Sequence, residues 1–135
     1  LALAAAALAA KAYSSPRDAV LTPRQAEYRL FARVTHRLAA ALAAQERGAP
    51  GAFPDLLAAL EDNRRLWTVL AADLASDGNG LPDQLRAGLI SLAAFAQAET
   101  ARVRAGEADG AALVEINETV MKGLRARPET PRCPD

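Results

Sequence analysis

Large apolar residues recur along this chain at three- and four-residue spacings, the mark of helices that bury one face. The clearest opening signal is Thr22-Pro23-Arg24-Gln25. A threonine N-cap, a proline at the first helical position and a glutamine three residues after the cap together form a capping box. The helix it opens is predicted to reach about Glu46, with Tyr28, Phe31, Thr35, Leu38 and Leu42 as its inner stripe, and residues 48–54 end it. A further helix is predicted from about Asp55 to Ala75, its stripe being Leu56, Leu60, Asn63, Trp67, Leu70 and Leu74. Ser76-Asp77-Gly78-Asn79-Gly80 reads as a turn, because these residues tolerate positive φ. Pro82 then starts a helix whose buried face is predicted to carry Leu85, Leu89, Leu92, Phe95 or Ala96, and Val103. Gly106 closes it. Asp109 is a cap for a last helix that ends near Leu124 and carries Leu113, Ile116, Asn117, Val120, Met121 and Leu124.

The two ends read differently. Residues 1–13, LALAAAALAAKAY, are almost pure alanine and leucine, the strongest helix formers. A rival reading is the apolar region of a signal peptide, with Ala10-Lys11-Ala12 as its small-x-small site, but no positive leader stands among these residues. The stretch is too short to span a bilayer. Residues 14–21, with Ser14-Ser15-Pro16, form a linker. From Arg125 onward, Pro128, Pro131 and Pro134 predict a disordered tail. The expected architecture is all-α: a single small domain of about five helices. Its parts are an alanine-rich helix over 1–13, a linker over 14–21, a helical domain over 22–124 and a tail over 125–135.

Composition narrows the function. The chain has 135 residues, 51% of them hydrophobic, but 34 of those are alanine and 19 are leucine. One core of modest thickness is possible, and two are not. Sixteen basic residues balance sixteen acidic ones, so no net field draws the chain to nucleic acid or to an anionic membrane. A lone cysteine, Cys133, excludes an internal disulfide or a cysteine-based zinc site within these residues. His36 is the one histidine and falls beside the apolar stripe.

Catalytic and metal motifs fail when tested. Taking Gly78 as the sixth residue of a calcium loop puts Ala75 at its third position and Gln84 where a bidentate glutamate belongs. No serine stands in a nucleophile context, and no glycine-rich phosphate loop occurs. The chain is therefore expected not to be an enzyme and to use no metal or cofactor.

Asn63-Arg64-Arg65-Leu66-Trp67 carries two readings. In one, Trp67 belongs to the core and Asn63 fixes helix register through a buried hydrogen bond. In the other, the arginines and the tryptophan form a docking site, since Trp and Arg dominate interface hot spots. Asn117 occupies an equivalent inward position in the last helix, so two asparagines suggest a shared polar layer. Each would leave an unsatisfied amide without a partner, at roughly 1–3 kcal/mol.

Taken together, several stretches resemble the alphaproteobacterial flagellar biosynthesis regulator family FlaF. They are Ala12-Tyr13, Thr22-Pro23-Arg24, Glu27-Tyr28-Arg29-Leu30-Phe31-Ala32-Arg33-Val34-Thr35, Asn63-Arg64-Arg65-Leu66-Trp67 and Asp73. Asn79-Gly80-Leu81-Pro82, Leu85-Arg86-Ala87, Ile90-Ser91-Leu92-Ala93, Ile116-Asn117 and Met121-Lys122-Gly123-Leu124 complete the set. The resemblance runs from about Lys11 to Leu124, with order and spacing kept.

It implies a small cytoplasmic helical protein that binds flagellin, as a chaperone coupling flagellin synthesis to export and assembly. The resemblance further implies a role opposite a repressor called FlbT. Other function classes are a regulator acting directly on flagellin mRNA and an adaptor for a second regulator such as FlbT. Zero net charge and the lack of an RNA-binding motif weigh against the first of these. The candidate partner-contact residues are Asn63, Arg64, Arg65, Trp67, Leu81, Pro82, Arg86, Asn117 and Met121. One arginine of the Arg64-Arg65 pair is expected to meet Glu27, and the helix over 1–13 is expected to lie loosely over a groove.

Overall fold

The computed structural model describes residues 22–126. Among them are four helices and no strand: α1 Pro23–Glu46, α2 Ala52–Ala75, α3 Asp83–Arg104 and α4 Ala111–Ala126. The all-α class holds, with four of the five expected helices in the described part. The expected helix over 1–13, the linker over 14–21 and the tail beyond 126 lie outside the described residues.

The local signals act as their chemistry requires. Gln25 N–H donates to Thr22 Oγ1 at 3.1 Å, and Thr22 N–H donates to Gln25 Oε1 at 2.9 Å, closing the capping box. Asp109 Oδ1 accepts from Ala111 N–H at 2.9 Å at the start of α4. Three boundaries differ from the sequence expectation. α2 begins at Ala52, three residues early, because Pro54 falls in its first turn, where a missing N–H costs nothing. Pro82 is the N-cap of α3 rather than its first residue. α4 runs on through Arg125 to Ala126, residues expected to belong to the tail. Arg125 is held there by Tyr28, whose hydroxyl accepts from its guanidinium at 3.1 Å and whose ring lies beneath it.

Short turns join consecutive helices. α1 packs on α2, α2 on α3, and α4 returns against α1, while the contact between α3 and α4 is the slightest of these neighbouring pairs. The core is built from Leu30, Phe31 and Leu38 of α1 and from Leu56, Leu60, Trp67, Leu70 and Leu74 of α2. Ala93, Ala96 and Val103 of α3 join Leu113, Val120 and Leu124 of α4 to close it. Every member of the expected α2 stripe is buried.

The expected buried face of α3 is only half right. Ala96 and Val103 are buried and Leu89 and Leu92 are half-buried, but Leu85 is 49% exposed and Phe95 41%. Leu89 and Leu92 pack against the edge of the core, while Leu85 and Phe95 stand largely open to solvent.

One glycine is fixed by its neighbour. Gly110, just before α4, has φ +87°, and a Cβ there would stand 2.6 Å from the Leu42 side chain. No helix among the described residues is long and apolar enough to cross a membrane.

Candidate functional site

The gap between α3 and α4 forms an open groove of about 400 Å³. Gln84, Leu85, Gly88, Leu89 and Leu92 line it from α3, and Thr119, Val120, Gly123 and Leu124 from α4. Leu70 and Leu81 complete the lining. The α3 residues follow an i, i+3, i+4, i+7 course, so one helix face forms the wall. All but two of the lining residues lack a polar side chain, so the groove suits an apolar surface and offers little chemistry for catalysis.

Both walls carry a glycine in the body of a helix, where glycine costs about 1 kcal/mol relative to alanine. A Cβ on Gly88 or on Gly123 would meet nothing within 4 Å. Neither glycine is required by the local backbone or by a close neighbour among the described residues. Their effect is to widen the groove and let another backbone approach.

A second cleft of about 740 Å³ lies at the other end of the molecule, among Leu42, Phe53, Val103 and Val114. Gln45, Glu46, Arg104 and Asp109 also line it, so it is polar at its edges. Among the described residues no three His, Cys, Asp or Glu side chains converge as metal ligands.

The candidate contact residues fall into three groups. Asn63, Trp67 and Asn117 are all 0% exposed, out of reach of a partner docking on the folded surface. The polar layer foreseen from the two asparagines is formed here. Trp67 Nε1 donates to Asn117 Oδ1 at 2.8 Å, while Asn117 Nδ2 donates to Asn63 Oδ1 at 2.7 Å and to Thr35 Oγ1 at 3.0 Å. Phe31 meets the Trp67 ring edge to face at 6.2 Å. Asn63 Nδ2 is left as the one buried side-chain polar atom without a hydrogen-bond partner among the described residues.

The second group shapes the surface and the helix ends. Arg64 forms a two-pronged pair with Glu61 at 2.9 and 2.7 Å rather than meeting Glu27. Arg65 reaches the same carboxylate at 3.4 Å, and Arg104 of α3 comes within 3.9 Å. A partner one helical turn away needs no tertiary arrangement, which is why Glu61 prevails for Arg64. Arg64's hydrogen bonds, with the positive charge of both neighbouring arginines, hold the Glu61 carboxyl down at about 2 against burial, which opposes them. Arg86 Nη1 donates to the Leu74 carbonyl at 2.9 Å and so caps the end of α2.

The third group lies near clefts. Leu81 lines the α3–α4 groove. Its N–H is fixed by Asn79 Oδ1 at 3.1 Å, and Pro82 follows at the cap of α3. Met121 lines a separate, charged depression with Tyr28, Glu118, Lys122 and Arg125.

Sequence reasoning assigned Leu85, Leu89 and Leu92 to the core and passed over Gly88 and Gly123. The available signal was a glycine on an apolar helix face in each of two helices, Gly88 between Leu85 and Leu92 and Gly123 between Val120 and Leu124.

No curated protein and no solved structure matches this chain. A family described as flagellar protein FlaF matches residues 9–124, nearly the full length and almost the stretch over which the motifs resemble it. The chain is therefore a flagellar protein and belongs to the FlaF family.

Proposed function

We propose that this protein is a non-catalytic flagellin-binding chaperone and regulator of the cytoplasm, coupling flagellin synthesis to export and flagellum assembly. The observation that carries this reading is the uncovered apolar groove between α3 and α4 in a member of a flagellar family. Flagellin's terminal segments, as the resemblance implies, are amphipathic and prone to polymerise before assembly. A groove with leucines on its walls and a glycine on each side receives one such helix in the helix-in-groove manner. The leucines supply buried area, at roughly 25 cal/mol per Å² removed from water.

The test is co-purification with full-length flagellin and with versions lacking either terminal segment, in parallel with a variant of the exposed groove residue Leu85, Leu85→Asp. The expected result is a soluble one-to-one complex that needs one terminal segment and is lost in Leu85→Asp, while the melting temperature of the variant stays near the parent's. Light scattering in which neither protein changes mass at tens of micromolar would overturn it.

A further inference from the structure

We propose that the outward face of α3 is a self-association surface, on which a second copy of this chain lays its own α3 in antiparallel. This face is not the groove, and the assignment stands whether or not flagellin is the protein's partner.

The solvent side of α3 is unlike that of the other helices. α1 shows Arg29, Arg33, His36 and Arg37 to water, and α4 shows Glu115, Glu118 and Lys122. In α3 no charged residue stands anywhere between Arg86 and Glu99. Ala87, Ser91, Ala94 and Ala98 follow one another at helical spacing along its exposed ridge. Ile90 on one side of that ridge is 40% exposed, and Phe95 on the other is 41% exposed. A helix face in water is ordinarily charged, and one without charge that displays large apolar side chains is suited to being covered.

The distribution of charge at the two ends selects the occupant. Asp83 is exposed at the start of α3 and Arg102 at its end, about 28 Å further along the axis. An antiparallel pair about a twofold axis sets the partner's Arg102 at the end where Asp83 stands, and the partner's Asp83 at the end where Arg102 stands. A parallel pair sets like charge beside like and aligns the two helix dipoles unfavourably. A twofold contact requires one patch to complement itself, and an acidic end, a neutral middle and a basic end do so. Across the axis Ile90 meets the partner's Ile90 along one edge of the contact, and Phe95 meets the partner's Phe95 along the other. The small side chains between them let the two helices approach closely.

A strip of this length and one helix diameter wide covers roughly 300 Å², less than the ~800 Å² a side of a standard interface. The association is therefore weak and reversible, appearing as concentration rises.

The experiment is sedimentation equilibrium of the full chain at low salt, from about 10 μM to about 1 mM, in a Cys133→Ser background so that no disulfide links copies. The expected result is a mass that rises from one chain towards two, with Ala94→Glu remaining at one chain throughout while its melting temperature stays near the parent's. Asp83→Lys and Arg102→Asp are each expected to weaken association about three- to tenfold, and an equal mixture of the two to recover it. Because Arg102 also bonds Glu99, at 2.9 Å, the melting temperature of Arg102→Asp is read alongside. A parent that stays at one chain at about 1 mM would overturn the proposal, as would Ala94→Glu associating like the parent. A mixture no tighter than its components would overturn the antiparallel pairing and the proposal with it. Association lost in Leu85→Asp but kept in Ala94→Glu would place the contact in the groove instead. Flagellin is in none of these samples, so a failure here is separate from a failure to bind flagellin.

Discussion

Trp67 and Asn117 lie fifty residues apart and meet at the centre of the bundle, where the indole N–H donates to the amide oxygen at 2.8 Å. Through its own amide nitrogen Asn117 also holds Asn63 and Thr35, so one side chain of α4 ties together α1 and α2. Apolar contact is non-directional and tolerates sliding. Hydrogen bonds inside a dry core do not, and a half-satisfied layer is costly. A core rich in alanine and leucine has few shape features to fix its register, and this layer provides one.

Asn117→Ala is therefore expected to cost more than the loss of its apolar contacts. It strands the Trp67 N–H and the Asn63 and Thr35 oxygens, each at roughly 1–3 kcal/mol. Trp67→Ala is expected to cost about 3–5 kcal/mol through cavity formation. Urea denaturation of both single variants and the double variant checks this. Coupling requires the double variant to lose less than the sum of the singles. Strict additivity, or an unchanged melting temperature in Trp67→Ala, would mean the tryptophan is not part of this layer.

Gly110 and Gly48 make a controlled pair. Both have positive φ, +87° and +68°, so an alanine strains the backbone at either site by roughly 1–2 kcal/mol. Only at Gly110 does the new methyl also strike Leu42. Overpacking adds typically 1–3 kcal/mol. Gly110→Ala should thus lower the urea midpoint clearly more than Gly48→Ala, and Leu42→Ala should partly relieve the difference. Equal midpoints for the two glycine variants would show that Leu42 moves aside freely.

Much of this was legible in the sequence, and the parts that were not share a cause. The α2 stripe reads correctly from Leu56 to Leu74 because every member has a neighbouring helix to pack on. The Thr22 cap reads correctly because all its partners are local. Asn63 and Asn117 could be placed in one layer by their inward register, but their bonding with Thr35 and Trp67 depends on three helices at once. Leu85, Leu89 and Leu92 share a face just as core leucines do. Periodicity tells which residues face together, not whether anything covers them, so a groove wall reads as core. Likewise one arginine of the Arg64-Arg65 pair was expected to meet Glu27 through a helix contact, whereas Arg64 takes Glu61, which stands one turn away.

Gly88→Ala separates helix stability from binding. Within α3 the change removes the entropic cost of a helical glycine, worth about 1 kcal/mol, and the methyl meets no described neighbour. The urea midpoint of the variant is expected to be no lower than the parent's, while its affinity for flagellin falls because the methyl holds a partner helix away. Titration calorimetry and denaturation on the same sample read both effects. Unchanged affinity would show that the partner does not approach α3 at this point.

Glu61 gives a prediction in pH. Its carboxyl is held at about 2, below the ordinary 4.5, first by hydrogen bonds from Arg64 and then by the charges of Arg64 and Arg65. A carboxylate whose value is lowered on folding binds fewer protons in the native state than in the unfolded one. Its contribution is present in full above about 4.5 and is lost as pH falls towards about 2. The group lies at the surface, with the side chain 36% exposed, so salt screens the effect. Glu61→Gln should therefore lower the melting temperature modestly near neutral pH, and the gap from the parent should close between about pH 4.5 and 2. Raising the salt concentration should shrink the same gap at neutral pH. Arg64→Ala should reproduce most of the loss and Arg65→Ala less of it, because Arg64 supplies the two short hydrogen bonds and Arg65 only a 3.4 Å contact. Equal losses in the two arginine variants, or a gap that stays constant down to pH 2, would show that the pair acts through packing of the side-chain stems rather than through charge.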